Sequence, residues 1–472
     1  MNVNELIVCE GDSLRAVLAA LDRPGPAIAI AIDGNGAYRG LVDAGSIERA
    51  IAAGHGLDAP ATSALQANVR DFNAVLDGAR HPVGYDSPAA THRIPVAEPS
   101  LSGNEMKYVS ECIETRWISS QGPFVRRFES EIAGRLGLAP DRVLAVSNGT
   151  VALHLALVAL GIGPGDEVLV PDLTFAATIN TVIQAGATPV IVDVDRASWN
   201  MDPAAAAAAI TPRTRAIMPV HLYGQPAEMD ALLALAERHK LLIIEDAAEA
   251  IGSRHRDRPC GAMGDAGTFS FFSNKLITTG EGGAVAFRDA AVAQRARMLR
   301  DHGMDPKKRY WHLEVGYNYR LTNLQAALGC AQAEQIDAFL ARKIEVARGY
   351  EARLSRVAGV TLPARLDGLL NSFWAYSIIV DTAPLGLSRD ELMVRLDRAG
   401  IETRPLFYPL HEMPPYRAFA GNRAFPATTT LSANGISLPS AVTLNDAQVG
   451  YIADTIERQI AVRRLARRVG IA

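Results

Sequence analysis

Three short segments carry side chains able to do covalent or ionic chemistry. In TFSFFSNKLITTGEGG, residues 268–283, Lys275 follows an aromatic, strand-like run and precedes a glycine-rich turn. An amine held at the edge of an apolar core gives up its proton more readily, because burial disfavours the charged form, and it is then a nucleophile. A lysine that only extends its ammonium to water from a strand end fits the same spacing. In LLIIEDAAEAIG, an apolar strand ends in Glu245 and Asp246, with Glu249 close behind. Carboxylates at the carboxyl end of a buried strand face the crevice where open α/β sheets bind ligands, although Asp246 equally suits a helix N-cap. Ser147, Asn148, Gly149 and Thr150 lie between a strand pattern and a helix pattern. Free backbone N–H groups and the helix dipole there offer an anion site, to which the Thr150 hydroxyl adds; a plain capping turn would use the same residues.

Taken together, a phosphate cradle, a strand-end aspartate and a cleft lysine are what pyridoxal 5'-phosphate requires: an anchor, a carboxylate for the pyridine nitrogen and an amine for the Schiff base. Competing motifs are absent. The sequence has no GxxxxGK[ST] and no GxGxxG after a strand, and His411-Glu412 lacks the second histidine of HExxH.

The elements that must position these groups follow from composition and pattern. With 472 residues, 49% hydrophobic and 21% charged, the chain has material for about three domains and a large core. A formal net charge of -4 gives no basic excess, so neither nucleic acid nor an anionic membrane is an expected partner. The four cysteines are scattered with no CxxC pair, which predicts neither a metal site nor disulfides. The start, MNVNELIVCEGD, lacks the basic and apolar regions of a secretory signal, and a cytoplasmic location is expected. From about Ile94, VLAVS, EVLVP, TPVIVDVD, AIMPVHL, LLIIEDAA and TFSFF read as strands separated by helix patterns, hence a buried, mostly parallel sheet. Asp202 as N-cap and Pro203 at the first helical position predict that the alanine run after them is a helix. The expected organisation is an α/β module at 1–82, a linker at 83–93, a large domain at 94–340 and a smaller α+β domain at 341–472.

With these motifs assembled, residues 94–472 resemble the DegT/DnrJ/EryC1/StrS family of nucleotide-sugar aminotransferases, which are fold type I pyridoxal phosphate enzymes with a seven-stranded sheet. WISSQGPFVRRFE, SNGTVALHLAL, VPDLTFAATIN, VHLYGQP, EDAAEAIGS, FSFFSNKLITTGEGG, GYNYRLTNLQAA and RPLFYPLHEMPPY match its pattern in order. The resemblance implies Lys275 as the lysine that bonds to the cofactor, Asp246 as partner of the pyridine nitrogen and Phe175 as the ring stacked on it. It implies Gly149, Thr150 and Ser270 at the phosphate, Glu249 near the cofactor hydroxyl, and Asn318 reaching the phosphate from the second chain of a homodimer. L-glutamate is the implied amino donor. The DAAE and RPLFYPLHEMPPY segments are most similar to the branch of the family that makes perosamine for surface polysaccharide. This implies as acceptor the C4 ketone of a GDP- or other nucleotide-linked 4-keto-6-deoxyhexose, with C3 amination as the alternative. Trp117, Ser119, Arg404, Tyr408 and His411 are candidate substrate contacts, and Arg404, Tyr408 and His411 each equally suit packing in the small domain. Lys275 argues against the dehydratases of the family, which carry His there; a regulator that keeps the fold without turnover is a further alternative.

The front module resembles a CBS unit through GLVDAGSIERAIAAG, but Asp43, Ala44 and Ser46 stand where such units carry their ribose-binding residues. The resemblance therefore implies a docking or dimer-contact role more than nucleotide binding.

Overall fold

In the computed structural model, which describes residues 2–89 and 93–471, the apolar runs between Val143 and Phe287 form one seven-stranded sheet. Its strands lie in the order Val143–Val146, Gly283–Phe287, Ala266–Ser270, Leu242–Asp246, Thr214–Ile217, Glu167–Pro171 and Thr188–Val192. Gly283–Phe287 runs antiparallel to both neighbours; the pairings from Ala266–Ser270 across to Thr188–Val192 are parallel. Alternate side chains of each strand feed two separate cores. Val143, Ala145, Leu169 and Ile243 pack on one face, and Leu144, Val146, Val168 and Ile244 on the other. Both faces are covered, which is why these strands are apolar at nearly every position. The alanine helix Pro203–Ala209 forms as expected, with the Asp202 carboxylate accepting from the Ala204 N–H.

The long helix Ile336–Leu354 runs straight through the expected boundary at 340 and joins the large lobe to the small one. The small lobe is a four-stranded antiparallel sheet flanked by helices Arg389–Arg398 and Asp446–Arg468. Ile94 bridges to Ile401 and is buried in this lobe's core, so the segment expected to open the large domain first crosses the small one.

Residues 7–52 fold as a three-stranded sheet, Ile7–Cys9, Ala29–Ile32 and Tyr38–Val42, with helices Leu14–Leu21 and Ala44–Ala52. The hairpin Asn73–Leu76/Pro82–Asp86 follows, and its second strand occupies the first part of the stretch expected to be a linker. Residues 90–92 of that stretch lie outside the described residues. The module docks on the chain's own C-terminal helix: Val17, Leu18, Ile47 and Ala50 share a core with Val462 and Leu465. Asp22 forms ion pairs with Arg395 (3.1 Å) and Arg463 (2.8 Å) at this contact. Asp43 and Ser46 form a capping box on helix Ala44–Ala52, so their polar atoms satisfy backbone groups.

Candidate active site

The strand-end residues converge on a cavity of about 490 Å³ between the two lobes. It is lined by Gly149 and Thr150, by Phe175, by Asp246 and Glu249, and by Ser270 and Lys275; the small lobe adds Trp374, Arg404 and Phe407. Period-two alternation separates the two adjacent acids. Asp246 faces the cavity, whereas Glu245 points into the opposite core. There it accepts from His221 Nε2 (2.9 Å) and from the N–H groups of Gly261, Met263 and Gly264. His221 Nδ1 accepts from the Ala227 N–H (3.0 Å), which leaves the ring proton on Nε2. Glu245 is therefore structural.

No helix begins at Asp246, so it does not act as a helix N-cap. The buried carboxylate accepts from the Thr178 hydroxyl (2.8 Å) and the Ala248 N–H (3.2 Å). Burial pushes its pKa up; the Thr178 and Ala248 hydrogen bonds and the charge of Lys275 pull the other way. Glu249 is also pushed up by burial. It accepts from the Tyr223 N–H (2.8 Å) and from Lys275 Nζ (3.4 Å). Lys275 sits on the turn after strand Ala266–Ser270, with Nζ 3.8 Å from the centre of the Trp374 ring.

At helix Gly149–Ala159, Asn148 is the N-cap and accepts from the Val151 N–H (2.9 Å). The N–H groups of Gly149 and Thr150 occupy the first helical positions, which have no intrahelical acceptor. A Cβ at position 149 would lie 2.8 Å from Ser270 Cβ, so glycine is what lets the helix end approach the strand end. The cavity thus offers backbone and hydroxyl donors, a buried carboxylate and an amine on a single concave wall.

This set matches a known pattern over most of the chain: the profile of the DegT/DnrJ/EryC1/StrS aminotransferase family covers residues 99–457. The chain belongs to that family. The GDP-perosamine synthase of Caulobacter vibrioides is 48% identical over 368 residues, 78% of this chain and 98% of that protein. GDP-perosamine synthase of Escherichia coli O157:H7 is 44% identical over 77% of this chain and 97% of the relative. Among solved structures, S. venezuelae DesV, determined in complex with a ketimine intermediate, superposes with a TM-score of 0.73 at 35% identity, covering 80% of this chain and all of DesV.

DegT/DnrJ/EryC1/StrS aminotransferases use pyridoxal phosphate, and the residues here fit it. Gly149, Thr150 and Ser270 would hold the phosphate, Asp246 the ring nitrogen, and Lys275 the reactive carbon. Asn274 Oδ1, buried in the same wall without a protein partner, is open to a donor. Several members of the site escaped sequence reasoning, among them Asn274, Phe407, Thr178 and Trp374. Thr178 orients Asp246, and its signal was its place one helical turn after Phe175 in VPDLTFAATIN. Trp374 carried no signal, because SFWAYSIIV reads only as a strand.

The remaining candidates are placed unevenly. Phe175 borders the cavity and is 60% exposed. Arg404 lines it and pairs with Glu402 (3.4 Å). Trp117, Ser119, Tyr408 and Asn318 are exposed and are not part of this chain's cavity wall. His411 also lies off that wall, stacked on Phe425 and bonded through Nδ1 to buried Asp172 (2.6 Å). His411→Ala is therefore expected to cost about 1–3 kcal/mol of stability, because Asp172 keeps the backbone N–H of residue 411 but loses its ring partner, with KM for both substrates unchanged in steady-state kinetics. Asp246→Asn is expected to lower kcat by roughly 10²-fold or more, since the amide cannot offer a full negative charge to a ring nitrogen; unaltered turnover would remove Asp246 from its role.

Proposed function

We propose that the protein transfers the amino group of L-glutamate to the C4 ketone of a GDP-linked 4-keto-6-deoxyhexose, forming a perosamine-type amino sugar. One observation carries this reading: Lys275, Asp246 and the Gly149–Thr150 turn share a cavity in a chain 48% identical to a GDP-perosamine synthase over nearly all of that relative's length. When bound, pyridoxal phosphate supplies an electron sink for the pair left when the donor Cα loses its proton. The chain's own groups do the rest. Lys275 Nζ takes that proton and delivers it, Asp246 presents a negative charge to the ring nitrogen, and Glu249 holds Lys275 in the cleft between steps. The apolar wall around Phe175 and Phe407 limits access of water to the reacting atoms.

The active unit in this reading is a homodimer in which a second copy brings Asn318 to the phosphate end. Asn318 lies in an exposed segment that also displays Tyr310, Trp311 and Val315, and Met106, Ile113 and Trp117 are exposed on a helix and its following turn much earlier in the chain. Apolar surface of this extent supports a protein contact.

The test uses the purified holoenzyme. L-Glutamate is expected to bleach the visible band of the lysine-bound cofactor, and a GDP-4-keto-6-deoxyhexose is expected to restore it, with the product amine at C4 by NMR. Restoration only by a differently linked nucleotide sugar, or an amine at C3, would overturn the substrate assignment. A band that never responds to glutamate would overturn the transaminase reading.

A further inference from the structure

We propose that Trp374 is a positioning residue for the reactive lysine, and that Lys343 fixes Trp374 from behind. The inference rests on Lys275 being the reactive amine of the site. Trp374 enters the cavity from the small lobe, just before strand Tyr376–Val380. Its indole Nε1 donates to the backbone carbonyl of Asn274, the residue preceding the lysine (2.7 Å). Its ring is stacked on Tyr223 with centroids 6.1 Å apart. The ring face lies 3.8 Å from Lys275 Nζ, while Glu249 holds the same amine at 3.4 Å. A π face and a carboxylate thus fix the amine between them.

The backbone of Trp374 is held by an unusual donor. Lys343, on helix Ile336–Leu354, is 5% exposed and donates from Nζ to the Trp374 carbonyl (2.7 Å) and to Ser440 Oγ (3.3 Å). Ser440 itself donates to that carbonyl (3.3 Å). Among the described residues Lys343 forms no ion pair with a carboxylate, and burial pulls its pKa down to about 7. A buried amine without a counter-charge is a costly way to hold a carbonyl. In its protonated form it gives in return a stronger hydrogen bond than a neutral donor, and in either form it ties the joining helix of the two lobes to the tryptophan that touches Lys275.

The experiment reads the lysine directly in the full-length apoenzyme. Trinitrobenzenesulfonate labelling of Lys275 is followed by peptide mass spectrometry over a pH series. Trp374→Leu and Lys343→Met are expected to change the labelling profile, with a roughly threefold gain in reactivity at neutral pH, because the amine is no longer held against the π face. In the holoenzyme both are expected to lower kcat about tenfold with KM for the sugar nucleotide within about twofold. Trp374→Phe and Lys343→Gln, which keep a ring and a donor respectively, are expected to recover most of both effects. A Lys343→Met variant whose labelling profile matches the wild type overturns the proposal, as does a loss confined to Tm. The labelling uses neither cofactor nor sugar, so a wrong substrate assignment leaves its result intact.

Discussion

Lys275→Ala is expected to leave a folded protein that still takes up pyridoxal phosphate, while transamination falls by at least about 10³-fold, or ~4 kcal/mol of transition-state stabilisation. The fold should tolerate the change because Lys275 sits on a turn at the edge of the cavity, and among the described residues its ammonium is held by Glu249 and Trp374. The donors proposed for the phosphate, at Gly149, Thr150 and Ser270, do not depend on it. The chemical loss is large because, among the described residues, no second amine lines the cavity; the other cation there is the guanidinium of Arg404, a poor base by its chemistry. The substitution also has a signed electrostatic effect. Burial already raises the Glu249 pKa and the charge of Lys275 opposes that rise. Without the lysine the carboxyl should titrate at still higher pH. Single-turnover kinetics with glutamate, together with borohydride reduction and peptide mapping, check the first claim. Residual turnover within tenfold of the wild type would place the proton-transferring group elsewhere.

Deletion of residues 1–82 is expected to destabilise the remaining chain by several kcal/mol, enough to lower its Tm markedly or make it aggregate. A freely tethered module would leave the two lobes unaffected. Here the module shares a core with the C-terminal helix, in which Val462 and Leu465 are 0% and 1% exposed. Uncovering two such side chains forfeits about 3–6 kcal/mol, against a total stability on the order of 5–15 kcal/mol. Arg395, nearly buried, also loses Asp22. A milder variant separates the module's contact from its presence: Asp22→Ala is expected to cost about 3 kcal/mol, because it strands Arg395 without its partner. Denaturant unfolding of the full chain and of both variants measures this. A truncated chain as stable as the parent would make the docking incidental. Of the docking or dimer-contact role expected for the module, the structure shows docking within the chain, and the capping box of Asp43 and Ser46 shows why that segment's polar side chains are already engaged.

What was legible in the sequence was local chemistry and its order along the chain. The strand-turn-helix around Ser147–Thr150, the acid at the end of LLIIED and the lysine after TFSFF are each short enough for periodicity and capping rules to place, and the structure puts all three on one cavity wall. A buried, mostly parallel sheet was likewise implied by apolar runs too continuous for a half-exposed sheet; its seven strands were implied by the family resemblance alone. Tertiary structure decided what depends on residues distant in sequence. It resolved whether Asp246 caps a helix or faces the cleft, because only the sheet sets which side of the strand each of two adjacent acids faces. It took His411 off the cavity wall, since Asp172, more than 200 residues earlier, binds it more closely than any local feature foretold. It brought Trp374 to Lys275, and Lys343 to the backbone of Trp374, through the junction of two lobes. It also turned the front module, which length and pattern could only count as a separate unit, into a cover for the last helix, because an amphipathic surface shows which side must be buried but not what will bury it.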